Sequence, residues 1–190
     1  MVYIVSMVVG IDEVGRGCWA GPVVAGAVIL SEPIKGLKDS KLLSKKQREK
    51  LDAEIRVSAV AFGLGWVPAE EIDEVGLTEA VRLAMERALV CITVEYERLV
   101  IDGNYNFFPD NPKSTAIVGA DNSVPAVSAA SILAKVARDR YMAEVALRFP
   151  GYGFEKHVGY GTAEHQLALE ANGLTELHRR CFKPIQAFGV

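Results

Sequence analysis

Cysteine and histidine are scarce in this chain of 190 residues, which has three of each. The cysteines, Cys18, Cys91 and Cys181, are odd in number and far apart. This pattern fits reduced thiols in a cytoplasmic protein better than a disulfide framework. There is also no Cys-X-X-Cys or Cys/His grouping that would indicate a zinc site.

Long hydrophobic runs are absent as well. The first eleven residues are apolar, but they carry no basic segment and lead directly into Asp12 and Glu13. We interpret them as a buried strand rather than a signal peptide. No other apolar run approaches the roughly 20 residues of a membrane span, so no membrane partner is expected.

Net charge is small, at −3, and by itself argues against a nucleic-acid partner. The charges are nevertheless unevenly distributed. Residues 35–50 carry seven basic side chains against two acids, whereas residues 69–97 carry eight acids against two arginines. A chain with one basic and one acidic face can bind a polyanion. On charge alone, two solvated helix surfaces remain the favoured interpretation.

The length and the 50% hydrophobic content predict one domain over residues 1–190, with a short helical and basic extension at about 151–190. Apolar runs predict five strands, at 8–11, 23–30, 57–66, 98–101 and 114–118. Helices are predicted at 45–56, after 68, from 77, over 127–149 and over 162–173. This order indicates an α/β fold, a mixed sheet with helices on its faces, in which the first three strands are antiparallel neighbours.

Three aspartates stand at the ends of predicted elements. Asp12 follows the first strand, Asp102 ends the fourth, and Asp121 lies between the fifth strand and the long helix. Ligands of open α/β sheets bind beyond the carboxyl ends of strands, where Asp12 and Asp102 would converge. Simpler interpretations exist, because Asp102 precedes a Gly-Asn turn and Asp121 could cap the long helix.

Glu13 is a fourth candidate with a geometrical difficulty. Neighbouring strand residues point to opposite faces, so Asp12 and Glu13 can share a site only if the strand has already ended. Gly15 and Gly17 favour such an early end. Glycine also lets backbone approach a ligand closely, and Arg16 between them carries a planar cation that suits phosphate.

Four carboxylates in one site would repel each other and retain protons unless cations bind. Ligand sets made only of oxygen favour Mg²⁺ or Mn²⁺ over zinc. Two such ions about 4 Å apart could activate a water and stabilise the leaving oxygen of an in-line phosphoryl displacement. The residues therefore predict a metal-dependent site that acts on a phosphodiester.

Six sequence blocks, in order along nearly the whole chain, resemble the ribonuclease HII family. The first is Asp-Glu-Val-Gly-Arg-Gly at 12–17 with Ala-Gly-Pro-Val-Val-Ala at 20–25, and the others lie at 37–44, 101–104, 128–139, 159–165 and 178–180. The resemblance implies an RNase H-like fold with a five-stranded mixed sheet flanked by helices. It also implies hydrolysis of the RNA strand of RNA–DNA hybrids. Incision 5′ of single ribonucleotides in duplex DNA, leaving 3′-hydroxyl and 5′-phosphate ends, is a further implication.

The resemblance also implies roles for particular residues. The family's metal-binding catalytic carboxylates, which hold two Mg²⁺ or Mn²⁺ ions, match Asp12, Glu13, Asp102 and Asp121. The positions that recognise the ribonucleotide match Gly15, Arg16, Gly17 and Tyr160. Lys41 and Lys135 are expected to contact phosphates, and Asp139 to support the site without binding metal. A monomer is expected.

Some residues depart from the family pattern. Gly119 stands where a lysine commonly precedes the fourth acid, Cys18-Trp19 replaces a smaller pair, and Glu176 replaces a small residue or proline. Arg16 and the absence of an added N-terminal domain favour ribonuclease HII over the related ribonuclease HIII.

Two other functions fit part of the pattern. A DNA junction resolvase would need the acids but not Arg16 or Tyr160, and would act on all-DNA junctions. An RNA–DNA binding module without catalysis is disfavoured by the presence of all four acids. The tail at 186–188 matches peptides that bind a replication clamp poorly, and it is predicted to be disordered.

Overall fold

A computed structural model describes residues 7–189, and its centre is a five-stranded sheet in the order β3-β2-β1-β4-β5. The strands are β1 (Val8–Val14), β2 (Val23–Leu30), β3 (Ala59–Val67), β4 (Arg98–Asp102) and β5 (Ser114–Ile117). β2 pairs antiparallel with β1 and β3, whereas β4 pairs parallel with β1 and β5. The predicted mixed α/β sheet of five strands, with the first three antiparallel, is confirmed.

Helices flank this sheet and fill its connections. They are α1 (Lys45–Ser58), α2 (Ala69–Val75), α3 (Leu77–Val90), α4 (Ala120–Ser123), α5 (Pro125–Ala146), α6 (Phe154–His157), α7 (Ala163–Asn172) and α8 (Lys183–Gln186). A 3-10 turn at Ser40–Leu42 precedes α1. The long helix α5 begins two residues earlier than predicted because Pro125 starts its first turn. The turn α6 lies in the predicted C-terminal extension, ahead of the helix predicted over 162–173.

The sheet has α3 on one face and α5 on the other, and glycines let α5 approach closely. Val9 and Ile11 of β1 pack with α3, so Gly10 and Asp12 point toward α5. A Cβ at Gly10 would lie 2.2 Å from the α5 backbone, and one at Gly26 of β2 would lie 2.5 Å from it. The backbone of α5 therefore rests directly on the sheet beside Asp12.

The C-terminal segment packs against the end of α5 and the loop after β1. We call the following buried residues the C-terminal cluster: Ala20, Met142, Val145, Tyr152, Phe154, Ala168, Leu169, Leu177 and Ile185. Phe188 also packs against this cluster, so the predicted disorder at 186–188 is wrong. The apolar side chains of Ile185 and Phe188 find a partner surface that only the folded chain provides.

Two expectations concern the N-terminus and the membrane. Residues 1–6 of the predicted N-terminal strand lie outside the described residues, and β1 begins at Val8. Across residues 7–189, every helix is too short or too polar to cross a lipid bilayer.

Candidate active site

Asp12, Asp102 and Asp121 meet at the carboxyl ends of β1 and β4. One carboxylate oxygen from each lies within 4.8 Å of the others. Asp12 and Asp102 directly follow the paired residues Ile11 and Ile101 of parallel strands, so both point to the face that α5 covers. Asp121 reaches the group from the single turn α4, between β5 and α5.

Glu13 lies beside this group rather than in it. The expectation that β1 ends before Asp12 is wrong, because β1 continues to Val14 and Glu13 pairs with Ala25 of β2. Glu13 nevertheless lines the same cavity as Asp12 and Asp102. Arg16 Nη1 donates to Glu13 Oε1 at 3.1 Å, which holds this carboxylate at the mouth of the cavity.

Two of these carboxylates, Asp12 and Asp121, have raised pKa values when no cation is bound. Burial, followed by the charge of Glu13, raises the pKa of Asp12 to about 8, and Asp102 raises it as well. A hydrogen bond from Ser131 opposes these effects. Burial also raises the pKa of Asp121, with Asp102 as the second cause. A cation among these groups would restore their charged forms.

The donor set fits a hard divalent metal ion. Among residues 7–189, Asp102 Oδ1 is the buried side-chain oxygen that has no hydrogen-bond partner. An unsatisfied buried carboxylate oxygen is costly unless an ion or a water binds it. The available ligands are carboxylate oxygens from Asp12, Asp102 and Asp121, which suit magnesium-like ions better than zinc.

Asp121 is held in place by its own short helix. Asn122 Nδ2 donates to Asp121 Oδ1 at 2.9 Å, and Ser128 Oγ of α5 donates to the Asp121 carbonyl at 2.6 Å. The alternative role of Asp121 as the cap of the long helix is wrong, because the N-cap of α5 is Val124. Gly119 begins α4 in the left-handed region, with φ of 70°, a conformation that lysine would rarely adopt.

The predicted substrate-binding residues share one cavity of about 370 Å³ with Asp12, Glu13 and Asp102, whereas Asp121 is not part of its lining. Its lining consists of Asp12, Glu13, Val14, Gly15, Arg16, Gly17, Ser40, Lys41, Asp102, Ser131, Lys135 and Tyr160. Ser40 and Ser131 were not identified from the sequence. Their hydroxyls lie 3.0 Å apart and join the 3-10 turn to α5, a contact between distant segments that no local pattern shows.

Residues 15–22, which we call the glycine loop, form one wall of the cavity. Gly15 has φ of 95°, and a Cβ there would lie 2.5 Å from Arg138 Nε, so the fold itself requires this glycine. At Gly17, a Cβ would meet only Tyr160 Cε1, at 4.0 Å. The two glycines therefore differ: Gly15 shapes the loop, and Gly17 opens it toward Tyr160.

Two fully buried arginines hold the glycine loop in place by hydrogen bonds to its backbone carbonyls. Arg138 donates to the carbonyls of Pro22, Val158 and Ala20 at 2.8, 2.8 and 3.1 Å. Arg179 donates twice to the Gly21 carbonyl, at 3.0 and 2.8 Å, and once to the Arg16 carbonyl at 3.0 Å. Both lie in blocks that carry the family resemblance, which was the available signal for them, although their role depends on long-range contacts.

Both predicted phosphate-binding lysines, Lys41 and Lys135, line the cavity. The side chain of Lys41 is 83% exposed, and Lys135 Nζ donates to Asp139 Oδ1 at 2.8 Å. Asp139 therefore holds Lys135 in position and lies outside the carboxylate group.

Of the departures from the family pattern, Trp19 lies against Gly161, and Glu176 forms a surface ion pair with Arg148.

Over most of its length, the chain is similar to known proteins. The family model described as Ribonuclease HII matches residues 9–185. A protein named Ribonuclease HII from Halorhodospira halophila is 49% identical over 183 residues, which cover 94% of this chain and 93% of that protein. The crystal structure of ribonuclease H2 from Pyrococcus horikoshii OT3 superposes with a TM-score of 0.78 at 25% identity, covering 95% of this chain and 96% of that one. A structure of the PCNA:RNase HII complex from Archaeoglobus fulgidus gives 0.79 at 27% identity, covering 93% and 95%.

Proposed function

The chain belongs to the ribonuclease HII family and is a ribonuclease H endonuclease, and we propose that it cuts duplex DNA 5′ of embedded single ribonucleotides as well as the RNA strand of RNA–DNA hybrids. Cleavage would leave 3′-hydroxyl and 5′-phosphate ends. The observation that carries the proposal is that two of the three clustered aspartates, Asp12 and Asp102, line one cavity with Arg16 and Tyr160.

The carboxylates are proposed to hold two divalent ions, Mg²⁺ or Mn²⁺. Asp12, Asp102 and Asp121 supply oxygens to a common point, and Glu13 supplies a further carboxylate from the cavity wall. When bound, such ions lower the pKa of a water nucleophile and stabilise the leaving oxygen. The protein's own contribution is to fix these oxygens on β1, β4 and α4, so that little rearrangement is needed during the reaction.

The glycine loop is proposed to recognise the ribose. The carbonyls of Gly15 and Arg16 already accept hydrogen bonds, from Cys18 N at 3.3 Å and Arg179 Nη1 at 3.0 Å. The backbone N–H groups of the loop, rather than these carbonyls, would then meet the 2′-hydroxyl, the group that distinguishes RNA from DNA. Tyr160 is 41% exposed opposite Gly17 and offers a ring on which the adjoining sugar or base can stack.

Phosphate binding is proposed for the basic side chains around the cavity. Along α1 and α5, two acids are each shared by two cations: Lys135–Asp139 at 2.8 Å, Arg48–Asp139 at 3.9 Å, Arg56–Asp52 at 3.0 Å and Arg140–Asp52 at 3.1 Å. Each set of three charges keeps a net positive charge. Lys41 and Lys135 line the cavity itself, and the other cations extend this positive charge along α1 and α5, which suits a nucleic-acid backbone.

Two further assignments belong to the same proposal. We propose that residues 151–190 extend the single catalytic domain, because the C-terminal cluster contains Ala20 of the glycine loop as well as side chains of α5. We propose no clamp partner for this chain. Its tail is packed through Phe188, and the PCNA complex is a property of the relative from Archaeoglobus fulgidus.

A labelled DNA duplex with one ribonucleotide tests the proposal. We expect a nick 5′ of the ribonucleotide with Mg²⁺ or Mn²⁺, no nick with EDTA, and no nick in the matching all-DNA duplex. Cutting of long hybrids alone would contradict recognition of single ribonucleotides. Activity on all-DNA junctions would indicate a resolvase, and binding without cutting under either metal would indicate a binding module.

A further inference from the structure

All three histidines of the chain lie buried together behind the glycine loop, outside the cavity. The rings of His157 and His165 are stacked with centroids 4.5 Å apart, and His165 Nε2 lies 3.1 Å from His178 Nε2. The proposed reaction uses none of them directly. Their hydrogen bonds nevertheless end on Tyr160, the aromatic residue opposite Gly17.

The hydrogen bonds of the histidine pair run in one direction. The backbone N–H of Thr175 donates to His178 Nδ1 at 2.9 Å, so the ring proton of neutral His178 is on Nε2. His178 Nε2 therefore donates to His165 Nε2, and the proton of His165 is on Nδ1. His165 Nδ1 then donates to the backbone carbonyl of Tyr160 at 2.9 Å. A fixed N–H at one end and a fixed C=O at the other determine both tautomers.

This series of hydrogen bonds forms only when both imidazole rings are neutral. A second proton on His165 would place two N–H groups against each other across 3.1 Å, and a second proton on His178, at Nδ1, would oppose the N–H of Thr175 at 2.9 Å. Burial agrees with this requirement, since it lowers the pKa of both imidazoles to about 4. His157 belongs to a separate set of bonds, because its Nδ1 accepts from Gly159 N at 3.2 Å and its Nε2 donates to the Tyr152 carbonyl at 2.7 Å.

Tyr160 is in turn joined to the glycine loop. It forms a bridge with Cys18, and the neighbouring carbonyl of Gly159 accepts from Trp19 N at 2.8 Å and Ala20 N at 3.2 Å. A displacement of the Tyr160 backbone would therefore change the distance between its ring and Gly17. The geometry across the cavity depends on where the Tyr160 carbonyl is held.

From these contacts we propose that His178 and His165 are positioning residues, which fix the Tyr160 backbone through a directional hydrogen-bond relay and so set the spacing between the Tyr160 ring and the glycine loop. The inference rests on the proposed role of Tyr160 in recognising a ribonucleotide. The relay begins at Thr175, beyond α7, and so gives the C-terminal segment a part in specificity.

The test compares two substitutions of His165 on two substrates. His165→Phe keeps a ring but removes the donor, whereas His165→Asn keeps an N–H near the position of Nδ1. We expect His165→Phe to lower kcat/KM on the single-ribonucleotide duplex by about tenfold. Cleavage of a long hybrid should change much less, because every position of its RNA strand is a ribonucleotide and the enzyme can cut wherever it binds. His165→Asn should recover most of the loss.

A double-mutant cycle separates positioning from packing. In a Tyr160→Ala background, His165→Phe should cause no further loss, because the relay acts only through Tyr160. A loss that persists there, or one that is equal on both substrates and is not rescued by asparagine, would show a purely structural role and overturn the proposal. His157→Gln, which leaves the Tyr160 carbonyl bond intact, is the matched control.

A second variant and a wild-type measurement cover the cases of misfolding and of a failed function. If His165→Phe fails to fold, His178→Asn replaces it, since its side-chain oxygen can still accept from Thr175 N but cannot reach His165. The same loss on the single-ribonucleotide duplex is expected, and unchanged cleavage by folded protein would overturn the relay. Failure of the proposed function would be seen separately, as wild-type protein that does not nick the single-ribonucleotide duplex.

Discussion

Asp12 lies beside Asp102 because the parallel strands β1 and β4 pair Ile11 with Ile101. The next residue of each strand is an aspartate, and both aspartates point to the sheet face that α5 covers. A parallel pair places the carboxyl ends of both strands at one edge, so two like charges become neighbours at a buried position. Burial and the nearby Glu13 and Asp102 carboxylates raise the pKa of Asp12 to about 8. Burial, reinforced by like charges that the strand pairing brings close, thus makes this position one where a bound cation would be favourable.

Asp102→Asn should remove cleavage without removing binding. The amide keeps the shape but loses a charge and the oxygen that is buried without a partner. Activity should fall by more than about 100-fold, since losing only a supporting group of a metal site can cost that much. The stabilisation by added Mg²⁺ in thermal unfolding should also disappear. Glu176→Gln, at an acid in a surface pair with Arg148, should change neither property. Full activity of Asp102→Asn would refute the metal site.

Metal-free protein should lose stability as pH rises from about 4 to 8. The folded pKa of Asp12 lies above its ordinary value of 3.8, so the folded state binds more protons in that range. The free energy of unfolding should then fall by up to about 1.4 kcal/mol per pH unit. Denaturation in EDTA at pH 5 and pH 8 measures the slope. Asp12→Asn should flatten it, and a slope that is unchanged in that variant would place its origin elsewhere.

Arg16→Ala should impair recognition far more than folding. The side chain of Arg16 is 54% exposed, so its pair with Glu13 contributes little to stability, less than about 1 kcal/mol. Cleavage at a single ribonucleotide should fall by about 10- to 100-fold if the guanidinium binds a phosphate. Kinetics of Arg16→Ala and Arg16→Lys, together with their melting temperatures, test this. Cleavage equal to wild type would exclude Arg16 from recognition.

Alanine at Gly15 should lower the stability of the fold, whereas alanine at Gly17 should lower cleavage and leave stability nearly unchanged. Gly15→Ala meets Arg138 and the Pro22 carbonyl at positive φ, and should destabilise the fold by roughly 1–3 kcal/mol. Gly17→Ala has room for its Cβ and should melt near the wild-type temperature. Its methyl group would nevertheless project toward Tyr160 and reduce cleavage at a single ribonucleotide. A strong loss of stability in Gly17→Ala, or none in Gly15→Ala, would contradict this division.

His165 and His178 should stay neutral well below the usual range. Their folded pKa values, about 4, lie under the ordinary 6.5, so the unfolded state binds more protons between these values. Stability from each ring is therefore lost as pH falls from 6.5 toward 4, by up to about 1.4 kcal/mol per unit. NMR of the imidazole C–H groups should show no titration of these two rings between pH 8 and 5. A midpoint near 6.5 would contradict the neutral relay.

The sequence predicts the parts of this protein that depend on local pattern. Apolar runs predict the strands, and the positions of Asp12 and Asp102 at strand ends predict that they converge. The position of Glu13 is harder to predict, because alternating side-chain directions let Asp12 and Glu13 share a site only if the strand ends early. At the open end of a sheet, side chains from both faces can line one cavity, so the strand continues and Glu13 still borders it.

The parts that could not be predicted depend on contacts between distant segments. Nothing near Arg138 or Arg179 in the sequence shows that their donors reach the glycine loop, more than 100 residues away. The same holds for His165 and His178, since no local pattern shows that their rings meet. The cap role considered for Asp121 was a sound local expectation that the separate turn α4 overrides.

The buried arginines give the two halves of the cavity different responses to their surroundings. Carboxylates that share a site change charge with pH and with metal supply. A guanidinium does not change charge under the same conditions, since even Arg179, whose pKa burial lowers to about 10, remains a cation near neutrality. Removal of metal would therefore change the carboxylate group while the arginine contacts that shape the glycine loop persist. On the proposed function, metal-free protein would still hold a ribonucleotide-containing duplex that it cannot cut.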